Sequence, residues 1–287
     1  MVVPALLVAL ASSPFAGITS LNLADYSLSA SYPLPGFEAA EASAVTFNWD
    51  TGNLVVLGDE GDALAEVTTT GALVSSMTLT GFDDTEGLTY IGGGQFALNE
   101  ERLQDVYRFS YSAGGSFSRG SLQSASLGPT VGNVGIEGIS YEPSTGTFFA
   151  VKEKSPQAVL SATVDFANAS ASVSDLFIPS LGTLDLSDIQ VLSTVASLTG
   201  TADQDNLLIL SQESNLLLEV SRTGAILSQL DLSFLGTTSI EGVTIGADGT
   251  IYLVDESPRL FALVPSPTSA GLLSMAGLVA ARRRRVA

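Results

Sequence analysis

Three glutamates carry most of the chemistry this sequence offers. Glu86, Glu137 and Glu241 each open a Glu-Gly-apolar phrase, and each phrase is followed by a second acidic stretch: Asn99-Glu100-Glu101, Lys152-Glu153 and Asp255-Glu256. Two weaker copies complete the series, Ser43-Ala44-Val45 before Asp59-Glu60 and Ser187-Asp188-Ile189 before Gln212-Glu213. Carboxylates gathered at one place repel each other and raise one another's pKa, and a bound cation relieves that repulsion. The chain has no cysteine and no histidine. Thiolate chemistry, histidine-based triads and the usual zinc sites are thereby excluded. An oxygen-seeking cation is the consistent choice, and calcium, which takes about six to eight oxygen ligands, fits it. The expected metal ligands are Glu86, Glu137 and Glu241, with Asp188, at the glycine position of its repeat, as a weaker fourth. The later acids, Glu60, Glu100, Glu153, Glu213 and Glu256, are expected to bond the backbone of the next repeat, since duplicated structural roles are the normal origin of repeat consensus residues.

Such acids need a frame that makes them converge. The apolar anchors Val45, Leu88, Ile139, Ile189 and Val243 recur at intervals of roughly 43 to 54 residues, a period that β-propeller blades give. Each repeat reads as short strands around glycine-bearing turns such as Asp50-Thr51-Gly52-Asn53 and Ala247-Asp248-Gly249. The second strand is apolar on both faces, as in Leu54-Val55-Val56-Leu57 and Leu207-Leu208-Ile209-Leu210, so it must lie between packed sheets. The expected fold is all-β: a five-bladed β-propeller of four-stranded antiparallel blades. Tyr26 to Tyr32 alternates like Leu73 to Thr80, the last strand of the first repeat. The N-terminal strand is therefore predicted to complete the last blade and remove the open edges. Leu192 to Asp205 reads as an insertion forming an exposed loop. Within an antiparallel blade, the entry to the first strand and the exit from the second share one end, so both acid series should face the same mouth of the axis.

Lys and Arg total 11 against 30 Asp and Glu, a formal net charge of −19. That field repels phosphate backbones and makes nucleic acid an unsuitable partner. Calcium, and an unidentified ligand or surface partner of a monomer, are the partners expected. Residues 1–16 form an apolar leader in which Ala9-Leu10-Ala11 fits a signal-peptidase site. Residues 17–264 hold the propeller. Residues 265–287 carry a proline turn, an apolar stretch from Ala270 to Ala281 and the cluster Arg282-Arg283-Arg284-Arg285. The apolar stretch is short for a full membrane span. This order of features resembles the PEP-CTERM sorting tails of exported proteins, with Ser266 where that signal usually has glutamate. Export to the periplasm, cell surface or medium is expected, with membrane contact only through the tail.

Three phrases carry a wider resemblance: Gly81-Phe82-Asp83-Asp84-Thr85-Glu86-Gly87-Leu88-Thr89-Tyr90, Gly93-Gly94-Gln95-Phe96-Ala97-Leu98-Asn99-Glu100-Glu101 and Leu184-Asp185-Leu186-Ser187-Asp188-Ile189. They are similar to the SdiA-regulated family of bacterial propellers. The resemblance implies a five-bladed propeller with a calcium site, distantly akin to NHL-repeat and gluconolactonase-type propellers. In the latter the glutamate of a Glu-Gly is a metal ligand, a motif matched by Glu86, Glu137 and Glu241 and departed from at Ser43 and Ser187. The function expected is an exported calcium-binding module for binding or scaffolding. One alternative is a metal-assisted hydrolase of lactones or phosphoesters, with Glu100 or Glu137 as base and Lys152, Lys154 and Arg102 either steering an anionic substrate or neutralising nearby acids. Another is a structural surface protein without metal.

Overall fold

A computed structural model describes residues 18–59 and 62–266 of the chain. The leader, Glu60 and the tail beyond Ser266 lie outside the described residues. Strand β1 (Tyr26–Pro33) precedes the first repeat, β2 (Ala42–Asn48), β3 (Asn53–Gly58), β4 (Ala63–Val67) and β5 (Leu73–Thr80). The second repeat holds β6 (Thr85–Gly92), β7 (Gln95–Glu100), β8 (Asp105–Ser110), β9 (Ser116–Ser118) and β10 (Gln123–Ser126). The third holds β11 (Ile136–Glu142), β12 (Thr147–Lys152), β13 (Ala158–Asp165) and β14 (Ser170–Phe177). The fourth holds β15 (Asp188–Val191), β16 (Leu207–Ser211), β17 (Leu216–Val220) and β18 (Ile226–Asp231), and the last β19 (Ile240–Ile245), β20 (Ile251–Asp255) and β21 (Arg259–Pro265). They form five antiparallel sheets whose inner strands β2, β6, β11, β15 and β19 contact one another in a closed ring. The fold is the five-bladed propeller expected. β1 pairs antiparallel with β21 from Tyr26↔Pro265 to Pro33↔Arg259, so both ends of the chain share the last blade. One element departs from the four-strand plan. β9, in the excursion between β8 and β10, leaves its own blade and adds to β5 of the first as a parallel fifth strand.

The doubly apolar second strands now have a physical reason. Each faces two interblade cores. In β3, Leu54 and Val56 pack toward the last blade, while Val55 and Leu57 pack toward the second. In β16, Leu208 and Leu210 face the last blade, and Leu207 and Ile209 face the third. The propeller thus has five buried apolar layers, one per blade interface. The first half of the segment expected as an exposed loop after β15 is instead two 3-10 turns, Leu192–Thr194 and Ala196–Leu198, while residues 199–205 are irregular and exposed or half-buried. Leu192, Val195 and Leu198 are buried in the core between the fourth and last blades. Their spacing of three matches the 3-10 repeat, so one apolar face turns inward.

A polar ring ties the inner strands together. The residue after each apolar anchor is Thr46, Thr89, Ser140, Gln190 or Thr244. Thr46 Oγ1 accepts from Tyr90 N at 3.1 Å, Thr89 Oγ1 from Tyr141 N at 3.0 Å, and Ser140 Oγ from Val191 N at 3.0 Å. Thr244 closes the ring: it donates to Gln190 Oε1 at 2.9 Å and accepts from Phe47 N at 3.0 Å. Every blade interface has one such bond. Thr244→Val keeps the shape of the side chain but removes two of them, leaving a buried N–H and an amide oxygen without partners. Each such orphan costs about 1–3 kcal/mol. Urea unfolding of Thr244→Val should show a lower midpoint with an unchanged slope, whereas Thr70→Val on an exposed turn should stay within about 0.5 kcal/mol of the parent.

Candidate metal centre

Four of the five inner strands begin with an irregularity, and β15 pairs with β16 in unbroken register. Thr85 pairs with Glu100 and Gly87 with Asn99, so Glu86 is an extra residue with no partner across the ladder. The same holds for Ser43 between Ala42 and Ala44, Glu137 between Ile136 and Gly138, and Glu241 between Ile240 and Gly242. A bulge re-aims its side chain, and here it aims them at the axis. The glycine that follows serves close approach rather than a left-handed turn. A Cβ on Gly138 would lie 2.5 Å from Asp188 Cα, and one on Gly242 would lie 2.9 Å from Ala44 Cα of the neighbouring blade.

The result is a cup of about 210 Å³ at one mouth of the axis. It is lined by the bulge residues Ser43, Glu86, Glu137 and Glu241, with Ser187 of the fourth blade. Glu41, Asp59, Asn133, Glu153, Asp185, Gln212 and Glu256 complete the lining. Among the described residues of this lining, eight are acids and none is a cation. Two trios bring carboxylate oxygens within 4.8 Å of one another: Asp59, Asp84 and Glu86, and Glu101, Glu137 and Glu153.

The second acid series is shifted by one residue at three positions. The N–H groups of Asp59, Glu101, Glu153 and Glu256 bond the carbonyls of Glu41, Asp84, Gly135 and Ser239 at 2.9 to 3.1 Å. These four, with Gln212 by register, are the equivalent residues. The expectation named Glu60, Glu100 and Glu213 in place of Asp59, Glu101 and Gln212. In a strand, one residue of slip reverses the face. Glu100 accordingly points away from the cup. It accepts from Asp83 N at 3.0 Å and pairs with Arg119 at 2.6 Å, a structural latch within its own repeat rather than the bond to the next one that was expected. A base role for Glu100 at the axis is thereby removed. The cations once considered for steering are also engaged locally. Lys154 bridges Glu153 and Glu213 at 2.6 Å each, Arg102 pairs with Asp83 and Asp84, and the Lys152 ammonium donates to the Lys154 carbonyl.

Of the four expected ligands, Glu86, Glu137 and Glu241 line the cup, the first two in separate trios. Asp188 does not line it. Its two oxygens accept from Ile189 N at 2.8 Å and Val243 N at 2.7 Å, a latch between the fourth and last blades. Missed by the sequence were Asp84 and Asp185. Asp185 is buried and takes the Glu213 N–H at 3.0 Å together with the Ser211 hydroxyl. A signal existed, because both occupy the same place four residues before an anchor.

Burial and like charge work together in the cup. Burial, then Asp59 and Glu241, push the Glu86 carboxyl well above its ordinary range. Burial, then Glu86 and Glu101, do the same to Glu137. Glu241 is pushed up to about 8 by burial and by Glu256, and Asp84 to about 7 by burial and its hydrogen bond to Glu101. The folded chain therefore holds protons that the unfolded chain releases near pH 4. Stability from these groups is fully present below that point and is lost as pH rises through about 7 to 8. In EDTA, the melting temperature should fall between about pH 5 and pH 8, and Glu241→Gln should flatten the fall. Calorimetry over that interval tests it, and a rising melting temperature would contradict it.

Solved structures of propellers are similar in shape. The glutaminyl cyclase of Myxococcus xanthus matches with a TM-score of 0.57 at 13% identity, over 83% of this chain and 95% of that one. The WD40 propeller domain of Doa1 gives a TM-score of 0.49 at 12% identity, over 83% and 96% of the two chains. Virginiamycin B lyase from Staphylococcus aureus gives 0.45 at 14% identity, over 81% of this chain and 69% of that one. At these identities the first likeness speaks for the fold alone. The sequence itself matches the SdiA-regulated family over residues 19–264, from before β1 to the penultimate residue of β21, and the chain belongs to that family.

Proposed function

We propose that this chain is an exported, calcium-binding β-propeller that acts as a binding or scaffold module at the cell surface. The observation that carries the reading is the axial cup, with eight acids and no cation among the described residues of its lining. Glu86 with Asp59 and Asp84, and Glu137 with Glu101 and Glu153, are the sets that would hold a cation, with Glu241 adding charge from across the cup. Oxygen-only donors suit calcium or magnesium rather than a softer metal. A bound ion would supply a fixed positive centre at the mouth, where an oxygen of a ligand is attracted. The chain's own residues set its place: the bulges aim the acids, and the polar ring beneath them keeps the inner strands from spreading. Export rests on the apolar leader and the proline, apolar and arginine order of the tail.

Titration calorimetry of EDTA-dialysed protein with calcium should give saturable heat with release of protons, since the raised carboxyls must ionise to bind. At calcium a hundredfold above Kd, the stabilisation should be about 2.7 kcal/mol, a rise of roughly 5–10 °C for a chain of this size. Glu137→Gln should weaken that rise. A melting temperature indifferent to both calcium and EDTA would replace this reading with the purely structural one.

A further inference from the structure

The cup has two unlike sides. Both acid trios lie toward the first three blades: Asp59 follows β3, Asp84 and Glu86 lead into and begin β6, Glu101 follows β7, and Glu137 and Glu153 belong to the β11–β12 hairpin. The opposite side is made by Asp185, Ser187 and Gln212 of the fourth blade and Glu241 and Glu256 of the last. Glu241 accepts from the Gln212 amide, and Glu256 lines the cup with it. No Lys or Arg pairs with either glutamate among the described residues. Beside them Ser187, only 6% exposed, has a hydroxyl with no partner. Asp185 is held by the Ser211 hydroxyl and the Glu213 N–H, so two carboxylates and a hydroxyl remain, short of the roughly six to eight oxygens that calcium collects. They do match an ammonium group, which offers three donors and no acceptor.

The exposed apolar surface is uneven too, and falls on the connectors into the first, fourth and last blades. Leaving aside the outer strands, exposed large apolar residues sit on the connectors that run into the inner strands at the mouth of the cup. Leu184, 65% exposed, directly precedes Asp185. Phe234, 49% exposed, lies on the connector to Glu241, and Phe37, 77% exposed, on the connector to Glu41. The connector into the third blade carries only Val131. A cup of about 210 Å³ is smaller than the roughly 300–1,000 Å³ of sites that enclose a whole small molecule. It has room for one side-chain-sized group, with the remainder of a ligand left outside on the connectors.

We propose that this side of the cup is a subsite for a primary ammonium group carried by an apolar ligand. The ammonium donates to Glu241, Glu256 and Ser187 Oγ, and the apolar part lies on Leu184, Phe234 and Phe37. The subsite is separate from the two trios and does not require a metal in them. An amine of this kind could belong to a lysine in an apolar peptide or to a free alkyl amine, and the two are separable by experiment.

The test is calorimetric binding to the whole chain in calcium, using the capped tripeptide Leu-Lys-Leu, the same peptide acetylated on the lysine amine, and hexylamine. Saturable binding of the tripeptide is expected, weakened at least about tenfold by acetylation and by Glu256→Gln. Hexylamine binding as tightly as the tripeptide identifies a free amine as the source, and binding tenfold weaker identifies a peptide. Absence of saturable binding, or equal binding of the acetylated peptide, overturns the proposal without relying on any variant's stability. Amine binding with no calcium-dependent rise in melting temperature would remove the metal reading alone, and the converse would remove this one alone.

Discussion

Five inner strands share one axis, and there backbone passes backbone at contact distance. That constraint governs most of what surrounds it. It demands glycine at Gly138 and Gly242, where a methyl group would strike the next strand. It displaces the preceding residue into a bulge, and the bulge turns Glu137 and Glu241 toward the centre. Like charges are thus concentrated by packing geometry, before any ligand is considered. Their repulsion is opposed from below by Thr46, Thr89, Ser140, Gln190 and Thr244, which bond strand to strand around the ring.

The fourth blade follows the plan with different residues. Asp188 stands where its neighbours have glycine and spends its carboxylate on Val243 N of the next strand. Ser187 stands at the cup position without a charge. One blade has in effect traded the acid at the bulge position for an interblade tie, and keeps Asp185 as its one carboxylate in the cup. The asymmetry of the mouth follows from this local exchange. A ring of identical repeats would have no preferred side for a ligand.

Much of the fold was legible in the sequence because it rests on period and polarity. The anchors Val45 to Val243 count the blades, and doubly apolar runs such as Leu207 to Leu210 mark strands pressed between sheets. The site was less legible because adjacent acids look alike in a sequence. Between Glu100 and Glu101 only the bulge before Gly87 decides which one faces the axis. The polar ring was also there to be read, as one hydroxyl or amide after every anchor in otherwise apolar strands. Leu192, Val195 and Leu198 show the opposite case: a spacing of three, easily taken for loop, that belongs to buried 3-10 turns.

The shared last blade also bears on how the chain reaches this shape. β1 finds its place only against β21, the final strand described, and Tyr26 lies beside Pro265. Contacts between such distant parts of a chain form late. A nascent polypeptide that lacks its last hairpin keeps two open sheet edges, and no shorter portion of it has a closed ring. Assembly of the acidic cup, which needs Glu41 and Glu256 on opposite sides of that seam, therefore waits for the last hairpin to be made.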